Sequence, residues 1–313
     1  MAKPIKIFFV TDLHGSNVCY RKFLNALKVY NVDVGILLGD LTGKMLIPLI
    51  DKPGGGWMTT FMGQQTEVAT QEELDKLKKT IEMVGYYWVH LSHDEFDSYK
   101  ADKEKLDTLF KQLMLQRLKQ WITLADERLA GSSFKVYMAA GNDDHMEVDD
   151  VIEDSSVIVN CNNKVVMVGE NEMVTFCWTN PTPWDTPREK PDEQLEPMIE
   201  ELVGKIKDMP NAIFNFHAPP YGSSLDLAPE LTKDLVQAAD RKIHVGSRAV
   251  TNIINKYHPL LGLHGHIHES RGVQKMGRTM IINPGSEYSE GVLKGVVVVL
   301  EKNRVKDYIF TNG

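Results

Sequence analysis

Apolar residues follow two rhythms along this chain. Residues 5–10 (Ile-Lys-Ile-Phe-Phe-Val) and 32–38 are short, nearly continuous apolar runs, the pattern of a strand covered on both faces, whereas residues 16–30 between them repeat apolar positions at helical spacing. A βαβ opening is therefore predicted. Residues 45–50 and 57–62 predict a hairpin around the turn-rich Asp51-Lys-Pro-Gly-Gly-Gly56. Residues 70–130 are charged and rich in helix formers, which predicts a helical insertion within a single domain spanning residues 1–313. The apolar stripes of those helices need a partner surface: the domain itself, a lid, or a second copy in a homo-oligomer built through the insertion. Strand character returns at 135–140 and again at 157–160, 165–168 and 173–178. A Pro-rich loop (180–191), a helix (193–207), a strand (212–216) and a helix (248–257) follow, then a strand running into His264 and closing strands at 280–283 and 295–300. Strands alternating with helices predict an α/β fold, and no segment repeats at a fixed period.

With 42% hydrophobic and 25% charged residues, the composition is that of a globular chain able to bury a sizeable core, not a disordered one. A net charge of −8 supplies no broad basic field, so nucleic acid and membrane surfaces are not expected partners, and any anion must be held by locally concentrated positive charge. Cys19, Cys161 and Cys177 are too few and too far apart to form a disulfide framework. They read as free thiols of a reducing compartment. The first apolar run is too short for a signal peptide and no run approaches the roughly 18 residues of a membrane span; a cytoplasmic location is the expectation.

The chemistry sits where strands are predicted to end. Asp12-Leu-His14, Gly39-Asp40, Gly141-Asn142, His217 and Gly265-His-Ile-His268 all fall there, and in α/β sheets the carboxyl ends of strands are where ligand-binding loops gather. One Asp-x-His or Gly-Asp is weak, since buried histidines usually satisfy hydrogen bonds and Gly-Asp is a common turn. Gly-His-x-His is more specific. Carboxylate, amide oxygen and neutral imidazole together suit Mn, Fe, Zn or Ni better than Ca. Two divalent cations bring four positive charges and the two aspartates remove two. The net positive centre left over attracts phosphate and lowers the pKa of a bound water to about 7.

These motifs resemble those of the calcineurin-like metallophosphoesterase superfamily: D-x-H, GD, GNH followed by an acidic residue, a lone His, and GH-x-H. Here they read DLH at 12–14, GD at 39–40, GNDD at 141–144, His217, and GHIH at 265–268. The Asn283-Pro-Gly-Ser286 and His217-Ala-Pro-Pro-Tyr-Gly222 segments also resemble predicted phosphoesterases related to the Icc group. The resemblance implies a double β-sandwich flanked by helices (αββα). It places Asp12, His14 and His268 on one metal and Asn142, His217 and His266 on the other, with Asp40 between them. Manganese is the favoured metal, and a metal-bridging hydroxide is the implied attacking group.

The superfamily's GNH histidine is replaced by Asp143. An imidazole can donate a proton near neutral pH, but a charged carboxylate repels phosphate; several branches lacking the histidine resemble phosphodiesterases, and a diesterase acting on a small phosphoester or nucleotide is the leading expectation. A phosphomonoesterase or protein phosphatase, or a non-catalytic metal-binding scaffold, are the alternatives. Asp143 itself reads either as a site acid of high pKa, with Asn142 its catalytic neighbour, or as a turn residue or one that supports the residues touching the site, and His145 is a second source of imidazole. His90 and His93 read as surface residues and His264 as a hydrogen-bonding support or a substrate contact. Trp57, Trp184 and Tyr221 read as loop aromatics that either rim the site or cover the core.

Overall fold

The computed structural model describes residues 4–231 and 237–313. The chain begins with β1 (Ile5–Thr11), α1 (Asn17–Val29) and β2 (Val34–Leu38). An excursion follows with β3 (Leu46–Asp51), β4 (Trp57–Phe61), β5 (Gln64–Val68), α2 (Gln71–Met83), β6 (Tyr87–Leu91), α3 (His93–Ala101) and α4 (Lys103–Leu129). The middle carries β7 (Lys135–Ala139), α5 (Val148–Glu153), β8 (Ile158–Asn160), β9 (Val165–Val168), β10 (Asn171–Phe176), α6 (Asp192–Val203) and β11 (Ile213–Phe216). Last come β12 (Leu227–Leu231), β13 (Gln237–His244), α7 (Arg248–Tyr257), β14 (Leu261–Leu263), β15 (Gly272–Met276), β16 (Thr279–Asn283), β17 (Lys294–Glu301) and β18 (Arg304–Asn312).

Two six-stranded sheets, ordered β18-β17-β1-β2-β7-β8 and β15-β16-β14-β11-β10-β9, pack face to face. The alternation of β1 explains the layering. Ile7 and Phe9 point between the sheets to meet Met173, Ile213, Leu263 and Ile282, whereas Phe8 and Val10 point outward to the helical layer of α1 and α4. On the far side Phe214 and Phe216 of β11 meet Leu195 and Ile199 of α6 and Ile253 of α7. Each of these fully buried side chains contributes about 1.5–3 kcal/mol, and the result is the helix-flanked double sandwich expected. Within the first sheet β1, β2, β7 and β8 run parallel; within the second, β10, β11, β14 and β16 do. Their carboxyl ends therefore open toward shared loops.

Helix α1 starts where Ser16 accepts a bond from the Cys19 N–H, a side-chain N-cap. The 70–130 stretch is not all helix. Its β6 pairs in parallel with β3, completing a four-stranded sheet ordered β5-β4-β3-β6, because Tyr87-Trp-Val89 is a β-branched and aromatic run whose Tyr87 and Leu91 are buried. Helix α4, 27 residues long and so about 40 Å, supplies its own partner surface. Leu118, Trp121, Ile122, Ala125 and Leu129 enter the outer core of the first sheet, with the Trp121 ring stacked on Tyr20 at 4.3 Å. The predicted helix at 193–207 stops at Val203, ahead of Gly204.

All three cysteines are free and buried. Cys19 lies in the outer helical layer, Cys161 between the sheets, and Cys177 beside the Arg188 guanidinium, which donates to its sulfur at 3.5 Å. Burial pushes the Cys161 thiol up to about 12 and Cys177 to about 11. No helix among the described residues is long and apolar enough to cross a membrane.

Candidate metal centre

Asp12 follows β1, Asp40 follows β2, Asn142 follows β7, His217 follows β11, and the Gly265–His268 loop follows β14. Each sequence-predicted ligand thus stands at a strand's carboxyl end, three from one sheet and the rest from the other. The loops are tied by backbone bonds: His14 N–H to Asp40 O at 2.8 Å, Gly39 N–H to Ala139 O at 2.9 Å, and Gly265 N–H to His217 O at 3.0 Å. The two sheets meet where the His266 N–H donates to the Asp12 carboxylate at 3.0 Å.

The backbone is strained at four of these residues. Asp12, His14, Asp40 and His266 have φ of 56°, 42°, 46° and 66°, a left-handed conformation rare for residues with a Cβ and typical of functional turns. Two glycines permit the crowding. A Cβ on Gly39 would lie 2.1 Å from His217 Nδ1, and one on Gly265 would lie 2.0 Å from the Thr11 hydroxyl.

Ligand atoms of Asp12, His14, Asp40 and His268 lie within 4.8 Å of one another, and so do those of Asp40, His217 and His266. Asp40 belongs to both groups: its Oδ2 is 3.6 Å from His14 Nε2 and its Oδ1 is 3.3 Å from His217 Nε2. His268 Nε2 lies 3.5 Å from Asp12 Oδ1. The donors fit a cation better than they fit each other. Nε2 of His14 faces Nε2 of His268 at 3.1 Å, an arrangement in which one proton at most can be shared. Both ring nitrogens of His217 and the Asn142 Oδ1 are buried without a hydrogen-bond partner, an expensive state unless something else binds them. The Asn142 amide is oriented by its neighbour: the Thr186 hydroxyl donates to Glu189 and accepts from Asn142 Nδ2 at 2.8 Å, which leaves Oδ1 facing the cluster.

The protonation pattern says the same. Burial works to raise the Asp12 pKa, but His217, His268 and His14 outweigh it and hold the carboxyl well below its usual range. Burial works to lower His217, yet Asp40 and Asp12 lift it to about 9. Burial presses His266 down to about 3 and His14 well below the ordinary value. Buried carboxylates thus draw in positive charge while two imidazoles stay neutral, the state in which imidazole ligates metal.

Asp143 faces the cluster: its N–H donates to Asp40 Oδ1 at 3.1 Å and its Oδ2 lies 3.7 Å from His14 Nδ1. Burial, then Asp40, raises its pKa to about 6, against the pull of Lys44. Neither group of ligand atoms includes the His145 imidazole, and the His145 carbonyl is held by Arg188 at 2.6 Å. His264 is fully buried, with Nδ1 at 2.9 Å from Phe216 O and 3.0 Å from Ala218 O, so it braces the loops. His90 contacts Asp51 and Trp57 on the four-stranded sheet and His93 opens α3. Trp184 is 62% exposed. Tyr221 packs under Arg248 at 3.8 Å.

Several contributors were given no role by the sequence, although Asp144 closes the GNDD motif. Asp144 accepts from the Leu41, Thr42 and Gly141 N–H groups and the Thr42 hydroxyl, locking the Asp40 loop to the Asn142 loop. Arg188, 1% exposed, donates to the carbonyls of Asp144 and His145 from below. Ser286 donates to Asp12 O at 2.7 Å, the Tyr288 ring lies 4.6 Å from that of His14, and Lys44 Nζ meets Asp143 Oδ2 at 2.6 Å. Besides Asp144, Ser286 had a signal, the Asn283-Pro-Gly-Ser286 segment.

A divalent-metal cluster at the shared edge of a helix-flanked double sandwich is the arrangement of metal-dependent hydrolases. The model of the calcineurin-like phosphoesterase family matches residues 5–270; the chain belongs to that family and is a metal-dependent phosphoester hydrolase. It is 33% identical over 183 residues to the uncharacterized protein MJ1162 of Methanocaldococcus jannaschii, covering 56% of this chain and 78% of that one. Among solved structures, one at 15% identity aligns over 99% of both chains with a TM-score of 0.59. TT1561 of Thermus thermophilus, at 13% identity, aligns over 99% of both with a TM-score of 0.54.

Proposed function

We propose that the chain is a phosphodiesterase for a small phosphoester or nucleotide and works with two divalent cations, manganese foremost. Asp12, His14, Asp40 and His268 would hold the first, and Asp40, Asn142, His217 and His266 the second. The observation that carries the two-ion reading is the membership of Asp40 in both ligand groups. When bound, such ions stabilise charge on phosphoryl oxygens and supply an activated water.

The chain's own residues set the rest. The His217 and His266 rings bring donor atoms from the second sheet, and the His266 N–H fixes the Asp12 carboxylate. At position 143 a carboxylate stands where an imidazole would protonate the departing group of a monoester, which supports the diester reading. Trp184, two residues from Thr186, offers an exposed flat surface to the organic part of an ester. The acidic net charge speaks against long nucleic acids, and three buried free thiols fit a reducing, cytoplasmic setting. The manganese-loaded protein should hydrolyse bis(p-nitrophenyl) phosphate faster than p-nitrophenyl phosphate, and Asp40→Ala should abolish turnover. Faster monoester hydrolysis would sink the diesterase assignment.

A further inference from the structure

Asp143 poses an electrostatic problem. It adds a third carboxylate beside Asp12 and Asp40, the most exposed of the three at 14% against 1% and 3%, and a phosphate approaching it would be repelled. Lys44 answers it: its Nζ lies 2.6 Å from Asp143 Oδ2, while the side chain remains 46% exposed. An ammonium has three N–H donors. An ion pair with one carboxylate oxygen leaves donor capacity for an incoming oxyanion.

The backbone on both sides of Lys44 is clamped. Ahead of it, the Thr42 N–H and hydroxyl donate to Asp144 Oδ1 at 2.9 and 2.7 Å. The Gly43 N–H donates to the Tyr87 hydroxyl at 2.8 Å. Behind it, the Tyr87 N–H donates to Met45 O at 2.9 Å. Gly43 is pressed so closely on the Gly85 carbonyl that a Cβ there would come within 1.9 Å. The loop that carries Lys44 is thus held by the core through Asp144 and by the excursion through Tyr87, at the entrance to β6. A lysine on an ordinary surface loop has no such support, and preorganisation of this kind lowers the cost of binding.

We infer that Lys44 is the residue that contacts a non-bridging phosphoryl oxygen of the substrate, and that Asp143 is the positioning residue that aims it. Lys44 then supplies a donor in place of the absent imidazole beside the cluster, and one structural task of the excursion is to present Lys44 there. The inference rests on the phosphoester-hydrolase reading but not on the diester preference.

The test is a double-mutant cycle on the manganese-loaded full chain. Calorimetry reads the affinity for inorganic phosphate, steady-state kinetics read kcat/KM, and mass spectrometry reads metal content. Lys44→Met should weaken phosphate binding about tenfold and lower kcat/KM about a hundredfold, as loss of one preorganised donor does, with metal content unchanged and partial rescue in Lys44→Arg. Asp143→Asn drops the carboxylate charge but keeps an acceptor oxygen to aim the ammonium, so in that background Lys44→Met should still weaken phosphate binding. If Asp143→Asn erases the Lys44→Met defect, Lys44 merely neutralises the carboxylate and the inference is overturned. Unchanged phosphate affinity in Lys44→Met overturns it as well. Because inorganic phosphate is the probe, a failed diester preference leaves this result readable on its own.

Discussion

Thr186 shows how much of the metal centre is decided by residues that are not ligands. Asn142 can present either its oxygen or its nitrogen to the cluster, and only the oxygen binds a cation; the Thr186 hydroxyl, itself committed to Glu189, selects it. Thr186→Val removes that acceptor. Metal titration should show the affinity of the site served by Asn142 and His217 weakened about 10- to 100-fold, the usual effect of losing a supporting partner, with Thr186→Ser close to the parent. Parent-like affinity in the valine variant would mean that something else orients the amide. The seven candidate ligands could be picked out in the sequence because their chemistry is rare in combination. Thr186, Arg188 and Lys44 were not. Lys44 is one of 35 Lys and Arg residues, and what sets it apart is a carboxylate 99 positions away that only the fold brings to it.

At the scale of elements, the Pro-rich loop at 180–191 is a support beam. Glu189 accepts from the N–H and hydroxyl groups of both Thr182 and Thr186. Burial works to raise its pKa, but these bonds outweigh that and hold it below the usual glutamate value of 4.5. The sign follows from linkage: with the folded pKa depressed, the stabilisation is fully present above pH 4.5 and fades as pH falls through the folded value. In metal-free protein, Glu189→Gln should therefore be less stable than the parent at pH 7, with the gap narrowing below pH 4.5. Equal denaturation midpoints at pH 7 would refute the assignment. The opening β1-α1-β2 was legible because period and burial agree there. Strand β6 was not, since its five residues sit amid helix formers and its reason to be extended is the β3 edge it joins. Strand β18 was hidden similarly, its polar positions facing outward on a sheet edge.

For the whole molecule, the donor atoms come from both sheets, so a bound cation links them. Ions that bind only the folded chain add about 2.7 kcal/mol per site at a hundredfold excess over Kd, and a chain of 313 residues shifts by roughly 1.5 °C per kcal/mol. Chelation should lower Tm by about 4 °C for each site emptied, as read by scanning calorimetry. A Tm indifferent to chelator would contradict a cation bound across the sheets. The layered architecture itself was legible from strand–helix alternation plus motif order. The way α4 runs from the four-stranded sheet into the outer core of the first was not, because charged and apolar positions along it are blended and only packing on Tyr20 reveals which end is inside. The same packing means that residues 70–130 cannot be excised as a cassette without opening the core.

The three cysteines occupy separate neighbourhoods: one beneath the outer helices, one in the seam between sheets, one against the guanidinium that props the Asn142 loop. Alkylation at each sulfur requires its own region to open. The native chain thus carries a built-in set of local clocks, from which the order of opening, helical layer, seam or site floor, can be timed without adding a probe.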